Sequence, residues 1–188
     1  MTKKTEHAHP RPTLNRIIIH GALAVTLILL VAALLLALLA LTTAPDGFLL
    51  VALLTALLGL PVLMLTAITP PVSVSAQGIT LQPVIWKERE VGWEAIKAVR
   101  VYPLLPTTEE EITRRVAVGR RNYRPAEGIM LVIPSLPAQY RIAGFFTGAR
   151  SQPVIALTNR AHSDYATLIQ TVLENTPPEI HDEDLYDE

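Results

Sequence analysis

IIIHGALAVTLILLVAALLLALLAL, residues 17–41, and FLLVALLTALLGLPVLMLTAI, residues 48–68, decide how this chain is to be read. Crossing a bilayer as a helix takes roughly 20 apolar residues, and each run is long enough. The first contains one ionisable residue, His20, near its start, and the second contains none. In lipid every backbone N–H and C=O must find a partner within the segment, so both runs are expected to be helical. Only Thr42-Thr43-Ala44-Pro45-Asp46-Gly47 separates them, and Pro-Asp-Gly is turn chemistry. The expectation is a transmembrane hairpin over residues 17–69. A cleaved signal peptide fits poorly, because the first run exceeds a signal core and a second follows closely. Pro61 removes one helix hydrogen bond and is expected to kink the second helix.

The basic residues orient the hairpin. Lys3, Lys4, Arg11 and Arg16 precede the first run and Lys87, Arg89, Lys97 and Arg100 follow the second, while the connecting loop has none. The positive-inside bias puts both termini in the cytoplasm of an inner or plasma membrane. His20 lies near the Arg16 end and can reach the interface. An interfacial role is expected over cofactor ligation or proton handling.

Four regions follow from the changes in composition: a basic tail (1–16), the hairpin, a cytoplasmic domain (70–176) and an acidic tail (177–188). Residues 72–176 carry twelve Lys and Arg against nine Asp and Glu. Beyond Pro178, Glu179, Asp182, Glu183, Asp184, Asp187 and Glu188 have no basic neighbour, a pattern expected to be disordered and solubilising. Docking of this tail on a basic surface is the sharper alternative. There is no cysteine, so disulfides, thiolate nucleophiles and cysteine metal sites are excluded.

The domain reads as many short strands. Val72 to Ser75, Ile79 to Ile85 and Val99 to Val101 alternate as half-buried strands do. Val116 to Val118, Ile129 to Ile133, Tyr140 to Phe145 and Val154 to Leu157 are further candidates, separated by Pro and Gly. The spacing predicts an antiparallel sandwich or small barrel. From Ser163 the pattern changes. Tyr165, Leu168, Ile169, Val172 and Leu173 form the stripe of an amphipathic helix, with Ser163 as N-cap and Pro177-Pro178 as stop. Such a helix would plug an open end of the barrel.

Three segments, Gln77-Gly78-Ile79, Val91-Gly92-Trp93-Glu94-Ala95-Ile96-Lys97-Ala98-Val99 and Val154–Leu157 with Asn159-Arg160 and the closing helix, resemble the bacterial pleckstrin-homology-like domains that follow paired membrane spans. The resemblance covers about residues 72–176. It implies two transmembrane α-helices in a hairpin plus an α+β domain, with a PH-like antiparallel β-barrel or sandwich capped by a C-terminal helix. The charged segment from Thr107 to Glu127 departs from that pattern. A fold of this kind says little about activity.

Trp93 and Ile96 read as core anchors, and Trp86 as a core or headgroup-facing residue. The densest polar group is Arg114, Arg115, Arg120, Arg121 and Arg124 around Tyr123. Arginine grips phosphate bidentately, and a cytoplasmic leaflet is anionic, so these five are the candidate lipid- or partner-binding residues. A solvated strip balanced by Glu109, Glu110, Glu111 and Glu127 is the plainer reading. The modest net charge and the lack of a stacking set speak against nucleic acid. His7 and His9 form an H-x-H in a flexible tail, an adventitious metal pair at most. His162 and Asp164 are too few for a metal site or a triad. No phosphate loop, zinc-protease motif or nucleophile elbow is present. No enzyme, metal or cofactor is expected.

The expected function is a non-catalytic scaffold or assembly module at the cytoplasmic membrane face. The alternatives are an anionic-headgroup sensor acting through the arginines, and an accessory subunit of a membrane complex. In the last case Gly21, Ala22, Ala32, Ala33, Ala37 and Ala40 would admit partner helices closely.

Overall fold

The computed structural model describes residues 4–43, 46–103, 105, 108–118, 123, 125–182 and 185. Helix α1 (Pro12–Thr43) is 32 residues long, about 48 Å at 1.5 Å per residue. Pro12 at its first position gives up an N–H that has no helical partner anyway. Helix α2 (Asp46–Leu65) runs back beside it and continues through Pro61. Among the described residues, α1 is the one helix long and apolar enough to cross a membrane, and 11 % of its most apolar stretch is buried. The fully described apolar stretch of α2, Leu49–Leu58, is shorter.

Helix α1 turns a narrow seam inward. Ile19, Thr26, Ala33 and Ala40 are buried, and Asn15, Ala22, Leu29 and Leu36 are half-buried between them. The spacing alternates four and three, the coiled-coil repeat. Small side chains at Thr26, Ala33 and Ala40 let two backbones approach closely. Hence Ala22, Ala32, Ala33, Ala37 and Ala40, read from sequence as a surface for partner helices, are all at least half-buried, whereas a Cβ on Gly21 would touch nothing.

The domain holds two antiparallel sheets, each open; no closed barrel forms among the described residues. One sheet has the order β1-β2-β3-β4: β1 (Thr5–His7), β2 (Val72–Ser75), β3 (Gly78–Leu81) and β4 (Arg89–Gly92). The other has the order β5-β6-β7: β5 (Ala98–Val101), β6 (Gly128–Val132) and β7 (Val154–Thr158). Registers align the inward rows. Val72 faces Leu81, and Val74 faces Ile79, which faces Val91. Val99 faces Leu131, which faces Ile155. These rows meet in one core with Trp93, Ile96, Tyr140, Leu168 and Val172. Strands β6 and β7 read as unbroken apolar runs because both faces are covered. On the side away from this core, Met130, Val132 and Val154 pack with Ala149, and Ala156 packs with Ile68 and Ala143.

Several expectations are corrected. Thr5–His7 is not a loose tail: it pairs with Val72–Val74, so chain from before α1 and from after α2 shares one sheet. Strand β3 ends at Leu81, and Ile85 lies in a bend. Val116–Val118 ends a helix, α3 (Thr108–Val118), whose three glutamates near the start and arginines near the end complement its dipole. Tyr140–Phe145 belongs to α4 (Ala138–Phe146). Its buried Tyr140, Ala143 and Gly144 fall at i, i+3 and i+4, a helical period that outweighs the β-propensity of its aromatics. Helix α5 is Tyr165–Asn175; its N-cap position is Asp164 in the left-handed region (φ 50°), not Ser163, and neither side chain caps it. Leu168 and Val172 are buried as the stripe requires. The acidic tail is not loose where it is described: it forms a 3-10 turn at Pro178–Ile180 and pairs at His181 with Val99.

Candidate functional site

Two junctions of the domain are built with specific polar contacts. The first lies where the hairpin enters the domain. Ala67 is fully buried, Ile68 accepts a hydrogen bond from Ala156 N at 2.7 Å, and Trp86 Nε1 donates to Thr66 Oγ1 at 3.2 Å. The turn after β7 then ties down both chain ends of the hairpin. His162 Nε2 sits 2.9 Å from the Pro70 carbonyl, which can only accept, so Nε2 carries the proton. Nδ1 in turn accepts from Thr158 N–H at 3.2 Å. Burial holds His162 below the ordinary imidazole range, and the Pro70 and Thr158 carbonyls beside the ring oppose that shift. From the other end, buried His7 donates Nδ1–H to the Ser163 carbonyl at 3.0 Å, and Ser163 N–H donates to Ala8 O at 2.9 Å. These contacts hold the domain to the base of the hairpin.

The second junction lies at the outer edge of β5. A sheet edge presents unpaired N–H and C=O groups, a template for another strand. Here the chain's own C-terminal segment takes it. His181 forms a parallel bridge to Val99, and Asp182 N–H donates to Val99 O at 2.9 Å. Thr176 Oγ1 donates to Val172 O and accepts from His181 Nε2, both at 2.7 Å, which ties the segment to the end of α5. Burial also lowers the pKa of His181, against a raising effect from Glu179. Beyond it, Leu185 lines a groove with Val101, Leu105, Ile129, Tyr165, Ile169 and Leu173. Ala126, Glu127 and Gly128 also line it. An arrangement of this kind binds an extended peptide: backbone pairing supplies affinity and the pocket selects a side chain.

The arginine segment is placed only in part. Arg114 and Arg115 lie on α3, where the side chain of Arg115 is described and exposed; Arg120, Arg121 and Arg124 lie outside the described residues. The Arg115 guanidinium sits 5.8 Å from the Tyr123 ring centre, and that of Arg160 sits 6.0 Å away. Glu111 accepts from Ala126 N–H at 2.8 Å. That bond, with help from Tyr123, Arg160 and Arg115, holds Glu111 below the ordinary carboxylate range. Arg115 is thus built into a cluster with Tyr123 and Glu111.

His7 and His9 do not form a metal pair with a third ligand: among the described residues no group of three His, Cys, Asp or Glu is placed to hold a metal. His9 accepts from Arg11 N–H at 3.0 Å, and His20 Nδ1 lies 2.7 Å from Arg16 O, one turn back on α1. His9, Asn15, Arg16 and His20 line an open cleft with Gln82 where α1 meets the domain. Sequence reasoning missed the β5 edge altogether. The signal was Ile180 and Leu185 among acids, apolar residues in a segment read as solvated.

No family model, no curated protein and no solved structure matches this chain.

Proposed function

We propose that this protein is a membrane-anchored, non-catalytic docking module. A two-span hairpin holds a PH-like domain on the cytoplasmic face, and the β5–α5 groove receives an extended segment of a partner protein. The observation that carries the reading is the chain's own tail, seated on Val99 through main-chain contacts, with Leu185 forming part of the groove wall. In the resting protein the tail is an internal ligand, and a partner segment with an apolar residue in the Leu185 position replaces it.

The two-span anchor has topological support. If α1 crosses the bilayer, Thr5–His7 and Val72–Val74 can pair only if the chain crosses back, and α2 is the helix between them. The basic flanks then favour both ends in the cytoplasm. The PH-like reading is supported by two antiparallel sheets over one core, followed by a helix whose apolar stripe enters it. The headgroup reading gains no support at Arg115, which Tyr123 and Glu111 engage.

The test uses the full-length protein in mild detergent and a form ending at Thr176. A synthetic peptide of residues 177–188 should bind the shortened form and bind the full-length form much more weakly, since the tail competes in cis. A Leu185→Asp peptide should lose most of that binding. Any partner that copurifies should be enriched on the shortened form and displaced by the peptide. A shortened form that ignores the peptide overturns the docking reading.

A further inference from the structure

Helix α4 has two apolar faces. Tyr140, Ala143 and Gly144 are buried in the domain, whereas Ile142, Phe145 and Phe146 on the opposite side are 38 %, 69 % and 42 % exposed. The two phenyl rings meet edge to face at 5.6 Å. A helix apolar on all sides is one that is covered on all sides, and among the described residues the outer face of α4 is exposed. Contiguous exposed apolar residues mark a contact surface.

The position of α4 names the occupant. It packs against α2, and its Ala143 packs on Ile68, three residues beyond the last residue of α2. Gly144 fits so tightly under the Gln152 carbonyl that a Cβ would collide with it, which fixes the roll of the helix and so the outward direction of the phenylalanines. The outer face of α4 thus lies on an element packed against α2, a helix whose Leu50, Leu53, Leu54 and Leu57 are all about half exposed or more. Arg141 and Arg150 flank the patch and are exposed. Apolar residues facing outward with arginines at the margin are the pattern of a helix lying in the headgroup–acyl boundary.

We propose that α4 lies in that boundary of the cytoplasmic leaflet. Phe145 and Phe146 insert among the lipid chains beside α2, and Arg141 and Arg150 meet the headgroups. The inference rests on α2 crossing the bilayer. It makes the bilayer a third layer of the domain, below the β5-β6-β7 sheet and α4.

The test exploits the absence of cysteine. Phe145→Cys, Leu54→Cys and Gln170→Cys are each labelled with a polarity-sensitive fluorophore in full-length protein reconstituted in vesicles. Lipids spin-labelled near the headgroup should quench the Phe145 position strongly, and aqueous iodide should quench it little. Lipids spin-labelled deep in the chain should quench the Leu54 position, and iodide should quench the Gln170 position on α5. If the Phe145 label answers to iodide and not to lipid while the Leu54 label is quenched by deep lipid, the α4 proposal is overturned and the two-span reading stands. If the Phe145 label is shielded from both quenchers, protein covers this face and the proposal is likewise overturned. A Leu54 label reached by iodide and not by lipid overturns the two-span reading and this inference with it.

Discussion

The hairpin and the sheet domain are packed inside-out relative to each other. Along α1 the buried positions are Ile19, Thr26, Ala33 and Ala40, while Leu27, Ile28, Leu34 and Leu35 are about 60 % exposed or more. In the domain Leu81, Leu131, Ile155, Leu157 and Leu168 are fully buried, and the exposed positions are mostly charged or polar. On the proposed two-span anchoring the difference comes from the solvent. Water drives large apolar side chains inward, whereas lipid is as apolar as leucine and leaves close backbone approach as the reason to pack. Helix α4 combines the two patterns, with Tyr140 and Ala143 buried on one face and Phe145 and Phe146 exposed on the other.

Substitutions should fall on different sides of that contrast. The largest effect is expected from Leu168→Asp, which buries an unpaired charge between α5 and the core and should unfold the domain. Gln170→Asp, on the exposed face of α5, should leave the thermal melt in detergent nearly unchanged. Equal tolerance of the two would break the assignment of α5 to the core.

Next in size is Leu131→Ala, which should cost about 2–5 kcal/mol in the domain. Leu35→Ala, removing the same atoms from an exposed site on α1, should change stability in detergent far less. Conversely, Ala33→Leu should force the helices of the hairpin apart at a cost of about 1–3 kcal/mol, as overpacking does. Denaturant titration of the three variants sharpens the comparison. A hairpin that loses as much with Leu35→Ala as the domain loses with Leu131→Ala has a conventional apolar core.

The smallest effect expected is a pH dependence at the junction. Burial depresses the folded pKa of His162, so the unfolded chain binds the extra proton first. Its contribution is complete above the unfolded value of about 6.5 and is lost as the pH falls toward the folded value. The melting temperature should therefore drop between pH 7 and pH 5. His162→Gln, which can still donate to Pro70 O, should flatten that slope, with His181→Asn as the control for the other depressed histidine. An unchanged slope in His162→Gln would remove His162 from the acid response.

What was legible in the sequence follows from the range of the interactions involved. The apolar run of α1 is a local signal, and so are the blocks that became β6 and β7 and the stripe of α5. The strands read at Val116–Val118 and Tyr140–Phe145 were helices, because short apolar runs do not separate the two periods. In α4 the second apolar face blurred the pattern further, since Ile142, Phe145 and Phe146 fill in the positions that water would have made polar. Of the candidate site, the arginine segment stood out by charge alone, and the part of it described is engaged within the domain at Arg115. The β5 edge was invisible, because its occupant pairs with it through main-chain groups at His181 and Asp182.

The amino-acid sequence by itself determined where apolar surface is too continuous for water, where the chain turns, and that the closing helix has one face for a core. Tertiary structure decided which segments share a sheet. Thr5–His7 is polar and three residues long, with no intrinsic reason to be a strand. It becomes one because the hairpin returns the chain to its own start and offers the open edge of β2. The tail is ordered for the same reason at the edge of β5. Edge pairing is a contact between backbones, and backbones carry no signature in a list of side chains.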